Sequence, residues 1–165
     1  MADEPEENGD LETPPHFFPT DFGGDERLSR EEFGEPIEVG IEGVFAAEQG
    51  GSISRFVLLG EGDRRLPILI GPYESQAISL PLEGTRPDRP MTHDLVRNIL
   101  ERLDVVIDRV VIDDLWNAIY YAKIYMKHKG SEIEIDARPS DAIAMAVRFD
   151  APIFVAEGIL ESGGE

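Results

Sequence analysis

Residues 131–149 read SEIEIDARPSDAIAMAVRF, and this stretch decides the fold. Its first half alternates, with Ile133 and Ile135 on one side and Glu132, Glu134 and Asp136 on the other, which is the period of a half-buried strand. The second half changes period. Pro139 suits the first turn of a helix, and Ala142, Ile143, Ala144, Met145, Ala146, Val147 and Phe149 cover nearly the whole helical circumference. Only Asp141 and Arg148 form a polar stripe, so a mostly buried helix must pack on the sheet that the strand joins, with that stripe turned to solvent or to a partner group.

Working outward, VVIDRVVIDDL (105–115) and NAIYYAKIYM (117–126) read as two further strands, and HKG closes a tight hairpin onto 131–137. Tyr121, Lys123, Tyr125 and Lys127 share one face of the middle strand, an interleaving of aromatics and lysines that a single-stranded nucleic-acid platform would show. Symmetric closure of the hairpin sets Lys127 opposite Glu132, Tyr125 opposite Glu134 and Lys123 opposite Asp136. Cross-strand ion pairs then account for that face without a ligand.

The same order occurs earlier. IEVGIEGVFAA (37–47), ISRFVLLGEG (53–62) and LPILIG (66–71) read as strands, and YESQAISL (73–80) as a short helix that Pro81 should stop. Sliding the chain by 65 residues lays PILIGPYESQAISL over EIEIDARPSDAIAM without a gap, matching Ile68 to Ile133, Ile70 to Ile135, Ser75 to Ser140, Ala77 to Ala142 and Ile78 to Ile143. The expectation is an internal duplication of a three-strand-plus-helix unit, with two strand-to-helix corners meeting at a cleft or dimer surface. Between the units, THDLVRNILERL (92–103) places Leu95, Val96, Ile99, Leu100 and Leu103 on one stripe, which predicts an amphipathic helix lying on the sheet. APIFVA (151–156) reads as a last buried strand. The fold class expected is α+β: a mixed, largely antiparallel sheet with a few packed helices.

The ends differ from this middle. Residues 1–35 carry 12 acids against 2 bases and no sustained period, and read as a disordered acidic tail in which HFFPTDF (16–22) is at most a docking segment. The folded domain is expected over 36–158, with 159–165 a flexible C-terminus. Nothing approaches the run of about 18 apolar residues that a membrane span needs. An acidic start and the absence of cysteine point to a cytoplasmic product. The formal charge of −19 repels nucleic acid at long range, which argues against a non-specific DNA coat, and nucleic-acid chemistry would need a metal ion or a local basic patch.

Two stretches concentrate polar chemistry. RPMTHDL (89–95) sets Arg89 and His93 around Thr92, which reads as a helix N-cap, with Asp94 pointing away from the apolar stripe. Histidine is the side chain best suited to exchange protons near neutral pH, although a lone rim histidine is more often structural. DARPSD (136–141) sets Asp136, Arg138, Ser140 and Asp141 at a helix start, where Ser140 or Asp141 would cap free amides and where phosphate would also be welcome. Glu74 opens the first helix in a similar position. No HExxH, Walker loop, GxSxG or dinucleotide fingerprint occurs, which leaves proteases, nucleotide hydrolases, esterases and dehydrogenases without local support.

LPILIGPYESQAISLPLEG, RPMTHDLVRNIL, RVVIDDL, IYYAKIYM and IDARPSDAIAMAVRFDAPIFVAE stand in the order and spacing of the bifunctional nuclease (BFN) domain family, which the chain resembles over roughly 37–157. The combination of RPxTHDL with DARPSDAIA carries the resemblance. It departs from the family's usual look at Pro81, in a helix that generally runs on, and at Asn117-Ala118, where a glycine-containing turn is common. The resemblance implies oligomeric assembly and a nuclease acting on DNA and RNA, and charge logic then distributes the roles. His93, Asp136 and Asp141 are the catalytic candidates, and Arg89 and Arg138, with Thr92 and Ser140, the substrate-binding ones. Asp136, Asp141, Glu74 and Asp94 are candidate ligands of Mg²⁺ or Mn²⁺, and no organic cofactor is expected. The alternative is a non-catalytic, oligomeric binding or regulatory domain in which the same groups are caps and ion pairs.

Overall fold

The computed structural model describes residues 33–163. The expected acidic tail falls almost wholly outside them, and Phe33, at its end, already packs against the core. Seven strands form one sheet: β1 (Pro36–Gln49), β2 (Ser52–Glu61), β3 (Arg64–Ile70), β4 (Val105–Trp116), β5 (Ile119–His128), β6 (Ser131–Ala137) and β7 (Ile153–Ala156). Their order is β3-β2-β1-β7-β4-β5-β6, with β4 and β7 parallel and every other pair antiparallel. Helices α1 (Pro72–Leu82), α2 (Thr92–Arg102), α3 (Pro139–Phe149) and α4 (Glu157–Ser162) complete the α+β fold. None of these helices is long and apolar enough to cross a membrane.

The sheet contains the unit twice. β1-β2-β3 and β4-β5-β6 are antiparallel meanders on either side of β7, and each is followed by an eleven-residue helix, α1 or α3, that begins with proline. Counterparts start 67 residues apart: Ser52 and Ile119, Arg64 and Ser131, Pro72 and Pro139. The offset in space is thus two residues longer than the 65 of the sequence match. A shift of two preserves which face each strand residue takes, so apolar strand residues still meet apolar ones, Leu66 with Ile133 and Ile68 with Ile135, although most of the identities belong to the 65-residue frame. In the spatial frame Gly71 corresponds to Arg138 and Glu74 to Asp141.

α3 carries the centre of the core. Ala142, Ile143, Ala144, Met145 and Ala146 are buried against Val110, Ile112, Ala122 and Ile124 of the second unit, with Val57, Leu59, Leu66 and Ile68 of the first in the same cluster. The small alanines let α1 and α3 approach closely. Beyond the expected end of the domain, Ile159 and Leu160 of α4 are fully buried. The flexible segment predicted from 159 is therefore helix at its start, because those two side chains complete the core that glycine-rich composition alone did not reveal.

Two further expectations change. α1 does not stop before Pro81 but runs through it to Leu82. The acceptor that the missing Pro81 amide would have used, the Ala77 carbonyl, takes a 2.7 Å hydrogen bond from Arg148 Nη1 instead. α2 also turns the other way from the prediction. Leu95, Ile99 and Leu103 are 53%, 49% and 58% exposed, and of the stripe only Leu100 packs against the core. The polar side of α2 faces α3, through ion pairs described below.

The hairpin register is the one expected: Lys123 opposite Asp136, Tyr125 opposite Glu134 and Lys127 opposite Glu132. The ion pairs themselves run to other neighbours. Lys123 pairs with Glu134, Lys127 with Asp108, and Arg109 with Glu132 at 2.9 Å while its guanidinium sits 3.9 Å over the Tyr125 ring. The two lysines of this face are thus paired within the chain, though Lys123 takes Glu134 and not Asp136.

Candidate active site

Two strand-to-helix corners build the site. At the first, Gly71 precedes α1 and Glu74 lies in its first turn. A Cβ on Gly71 would stand 2.3 Å from Glu74 Oε2, so glycine is what lets this carboxylate fold back over the helix start. At the second, Arg138 takes the equivalent position before α3, and Asp141 the position of Glu74. No side chain caps either helix, so the capping roles expected of Ser140 and Asp141 are not filled. Asp141 is engaged elsewhere.

Arg138 joins the two corners. Its Nε donates to Asp141 Oδ2 at 2.7 Å, its Nη2 to Asp141 Oδ1 at 3.2 Å, and its Nη1 to Glu74 Oε1 at 3.3 Å. Its side chain is nonetheless 65% exposed. On the other side of Asp141, His93 Nε2 lies 2.9 Å from Oδ1, with 18% of the His93 side chain exposed. Burial pushes the Asp141 carboxyl up, but hydrogen bonds from Arg138 and His93 outweigh it and hold the group below the usual carboxylate range. An ionised Asp141 can only accept, so Nε2 is the protonated nitrogen and Nδ1 carries the lone pair of the neutral ring.

Asp94 has a separate task. Its Oδ2 accepts the Met91 amide at 2.9 Å and its Oδ1 accepts from Arg148 Nε at 2.8 Å. Burial again raises this carboxyl, and the Met91 amide and Arg148 together bring it below the ordinary value. Met91 occupies the N-cap position of α2 and Thr92 is the first helical residue. The predicted Thr92 cap is thus corrected: the Asp94 carboxylate, three residues into the turn, satisfies the cap amide. Asp141 and Arg148, one stripe on α3, face His93 and Asp94, adjacent on α2, in two oppositely oriented pairs.

A cleft of about 560 Å³ opens beside Arg138, with Glu74 and Ser140 at its polar end and Phe56, Leu69, Ile119 and Tyr120 along its walls. Its lining comes from both halves of the sheet. Four of the predicted residues, Glu74, His93, Arg138 and Asp141, are thereby connected, and Ser140 lines the cleft beside them. Asp136 is not brought in: it is exposed on the Lys123 side of β6, opposite the side where Ile135 meets Ile124. Arg89 and Thr92 are exposed near the start of α2 without a side-chain hydrogen bond or ion pair to other described residues.

The carboxylates therefore do not gather as the metal expectation required. Asp94 is held by Arg148, Asp136 lies across the strand, and Glu74 and Asp141 clasp a guanidinium. Among the described residues no three His, Asp or Glu side chains are placed to hold a metal ion. As arranged, this donor set does not fit Mg²⁺ or Mn²⁺. The signal that sequence reading missed is the Gly71-Pro72 and Arg138-Pro139 correspondence, hidden because the apolar identities favour the 65-residue offset.

The arrangement defines a class, an α+β domain of two fused strand-helix units with a polar network across their junction. The chain belongs to the bifunctional nuclease domain family: that family's model matches residues 57–165. Two uncharacterised proteins of Mycobacterium tuberculosis are each 42% identical over 103 residues, 62% of this chain and 61% of theirs. Bifunctional nuclease 1 of Oryza sativa subsp. japonica is 31% identical over 105 residues, and bifunctional nuclease 2 of Arabidopsis thaliana 26% over 102. The chain spans 32% and 31% of those two plant proteins' lengths.

Proposed function

We propose that this chain is a nuclease that hydrolyses phosphodiester bonds of DNA, RNA or both. The observation that carries the reading is Arg138: a largely exposed guanidinium at the head of an open cleft, held by two carboxylates, one of which also orients a histidine. In a protein of charge −19 such a fixed cation is the local attraction a phosphate needs. Arg138 binds the non-bridging oxygens, and the Ser140 hydroxyl beside it offers a further donor. His93, its tautomer set by Asp141, takes a proton from the attacking water as the new P–O bond forms. The ester oxygen leaves as the old P–O bond breaks and takes its proton from solvent water, and His93 returns its own proton to solvent. Family membership and the plant relatives' names support the reaction class, and no step is routed through a metal.

Purified full-length protein incubated with single-stranded and duplex DNA and with RNA, in Mg²⁺, Mn²⁺ or chelator, tests this reading. His93→Ala and Arg138→Ala should each lower cleavage by about 10²-fold or more in protein whose circular dichroism spectrum shows it folded, since each also removes a partner of Asp141. Asp136→Asn should cleave normally. Cleavage unchanged in both of the first two variants would assign the activity to another site or a contaminant.

A second reading, a non-catalytic binding or regulatory domain, is favoured by one observation: His93 and Asp94 are both engaged, by a hydrogen bond to Asp141 and an ion pair with Arg148, in contacts that pin α2 to α3. It expects no turnover by the wild type under any of those metal conditions.

A further inference from the structure

The cleft beside Arg138 has one charged end and apolar walls. β2 and β3 turn Val57 and Ile68 into the core, so Phe56 and Leu69, which pair across the two strands, face outward, and Leu69 is 76% exposed. From the other half of the sheet, β5 opens with Ile119, 58% exposed, and Tyr120, partly buried against the core. These four side chains bound the same space as Glu74, Arg138 and Ser140, about 560 Å³. Among the described residues that line it, Arg138 is the one cation and Glu74 the one acid.

We propose that the cleft takes an unpaired nucleobase, so that the substrate is a single strand, or an unpaired stretch, whose phosphate rests on Arg138 while the attached base enters between the apolar walls. The proposal rests on the nuclease reading for the phosphate and goes beyond it in naming the strand. Charge selects this occupant. A protein that holds duplex draws its affinity from many phosphates at once, by releasing their counterions. Here a single guanidinium, beside Glu74 and in a chain of charge −19, meets a single phosphate, and the rest of the affinity must come from uncharged surface. A nucleobase supplies it through its faces, which stack on rings such as those of Phe56 and Tyr120 whatever the base's identity. In duplex those faces are covered by the neighbouring base pairs. The volume of the cleft lies within the range of sites that enclose a small molecule. Of the four wall side chains only Tyr120 carries a hydrogen-bonding group, so the base is held by its face and not read at its edge.

Fluorescence anisotropy of the full chain with labelled phosphorothioate DNA, which resists cleavage, tests it on a short single strand, the same strand in duplex, and the same sugar-phosphate backbone without bases. The single strand should bind about 10-fold or more tighter than either of the others. Its log affinity should fall against log salt with a slope of about −0.7, the value for one phosphate of a single strand. Leu69→Ser with Ile119→Ser should bring the single strand down to the affinity of the abasic backbone while the circular dichroism spectrum stays unchanged, since both side chains are more than half exposed. Tyr120→Leu keeps an apolar side chain against the core and should still weaken the single strand several-fold. A duplex or abasic strand bound as tightly as the single strand, or an affinity that none of these substitutions moves, overturns the proposal. Cleavage of matched single-stranded and duplex substrates separates it from the nuclease reading. Equal rates on both overturn this proposal and leave the nuclease, whereas base-dependent binding without cleavage sustains the cleft and removes the nuclease.

Discussion

Arg148 Nη1 donates to the Ala77 carbonyl at 2.7 Å, and Ala77 is the residue whose helical partner would have been the amide of Pro81. The same nitrogen reaches the Ala144 carbonyl at 2.8 Å, while Nε holds Asp94. One buried guanidinium thus ties α1, α2 and α3 together and supplies the donor that a proline inside a helix removes.

This makes the Pro81 and Arg148 effects interdependent. Arg148→Met should destabilise the fold by roughly 2–4 kcal/mol, because it strands the Ala77 carbonyl and the Asp94 carboxylate, whereas the Ala144 carbonyl keeps its helical amide. Pro81→Ala alone should gain well under the ~3 kcal/mol that a proline ordinarily costs a helix, since Ala77 is already satisfied. In the double variant the amide restored by Pro81→Ala can bond to the Ala77 carbonyl, so the Arg148→Met cost should fall by about 1 kcal/mol. Urea unfolding of the four proteins measures the cycle, and strictly additive effects would show that the carbonyl at Ala77 does not link the two positions.

How far such features could be read in advance depends on whether they are local. The strands and α3 followed from period alone, and the hairpin register from Lys123, Tyr125 and Lys127 followed from a tight turn. Pro81 did not, because the rule that a proline ends a helix assumes no donor arrives from elsewhere, and Arg148 is distant in sequence, on α3. The direction of α2 was misread for a similar reason. An apolar stripe normally turns inward, but the polar side chains of His93 and Asp94 meet Asp141 and Arg148 on α3, and packing those pairs between the helices turns Leu95, Ile99 and Leu103 out. The candidate site was half legible. RPMTHDL and DARPSD held three of its four connected residues, but the strand face that removes Asp136 depends on where β6 ends.

The turn between β4 and β5 offers an independent test of backbone strain. Asn117 and Ala118 have φ of 49° and 61°, the left-handed region that a type I′ hairpin requires at both positions. Asparagine tolerates it, but the alanine Cβ costs roughly 1 kcal/mol there. The corresponding turn of the first unit uses Gly50 and Gly51. Ala118→Gly should therefore raise stability by about 1 kcal/mol despite the greater freedom of the unfolded chain, seen as a higher melting temperature. A variant that melts below the wild type would mean that the Ala118 side chain contributes more to the cleft wall than the turn loses in strain.

The depressed carboxylates Asp94 and Asp141 give the fold an acid limb. Asp94 and Asp141 titrate below the ordinary carboxylate value in the folded chain, Asp94 through the Met91 amide and Arg148, Asp141 through Arg138 and His93, in each case against burial. A carboxyl depressed on folding binds fewer protons in the native state, so its contribution is complete above the unfolded value near 4 and is lost as pH falls through the lower folded value. Stability should consequently be flat with respect to these groups from pH 7 down to about 5 and decline below about 4. Asp94→Asn should be less stable than the wild type by about 1–2 kcal/mol at pH 7, and the gap should narrow towards pH 2 because the wild-type carboxyl is then protonated too. Urea midpoints for the two proteins at pH 7, 4 and 2 measure this. A gap that stays constant across that range would show that Asp94 acts through the shape of the α2 start and not through its charge.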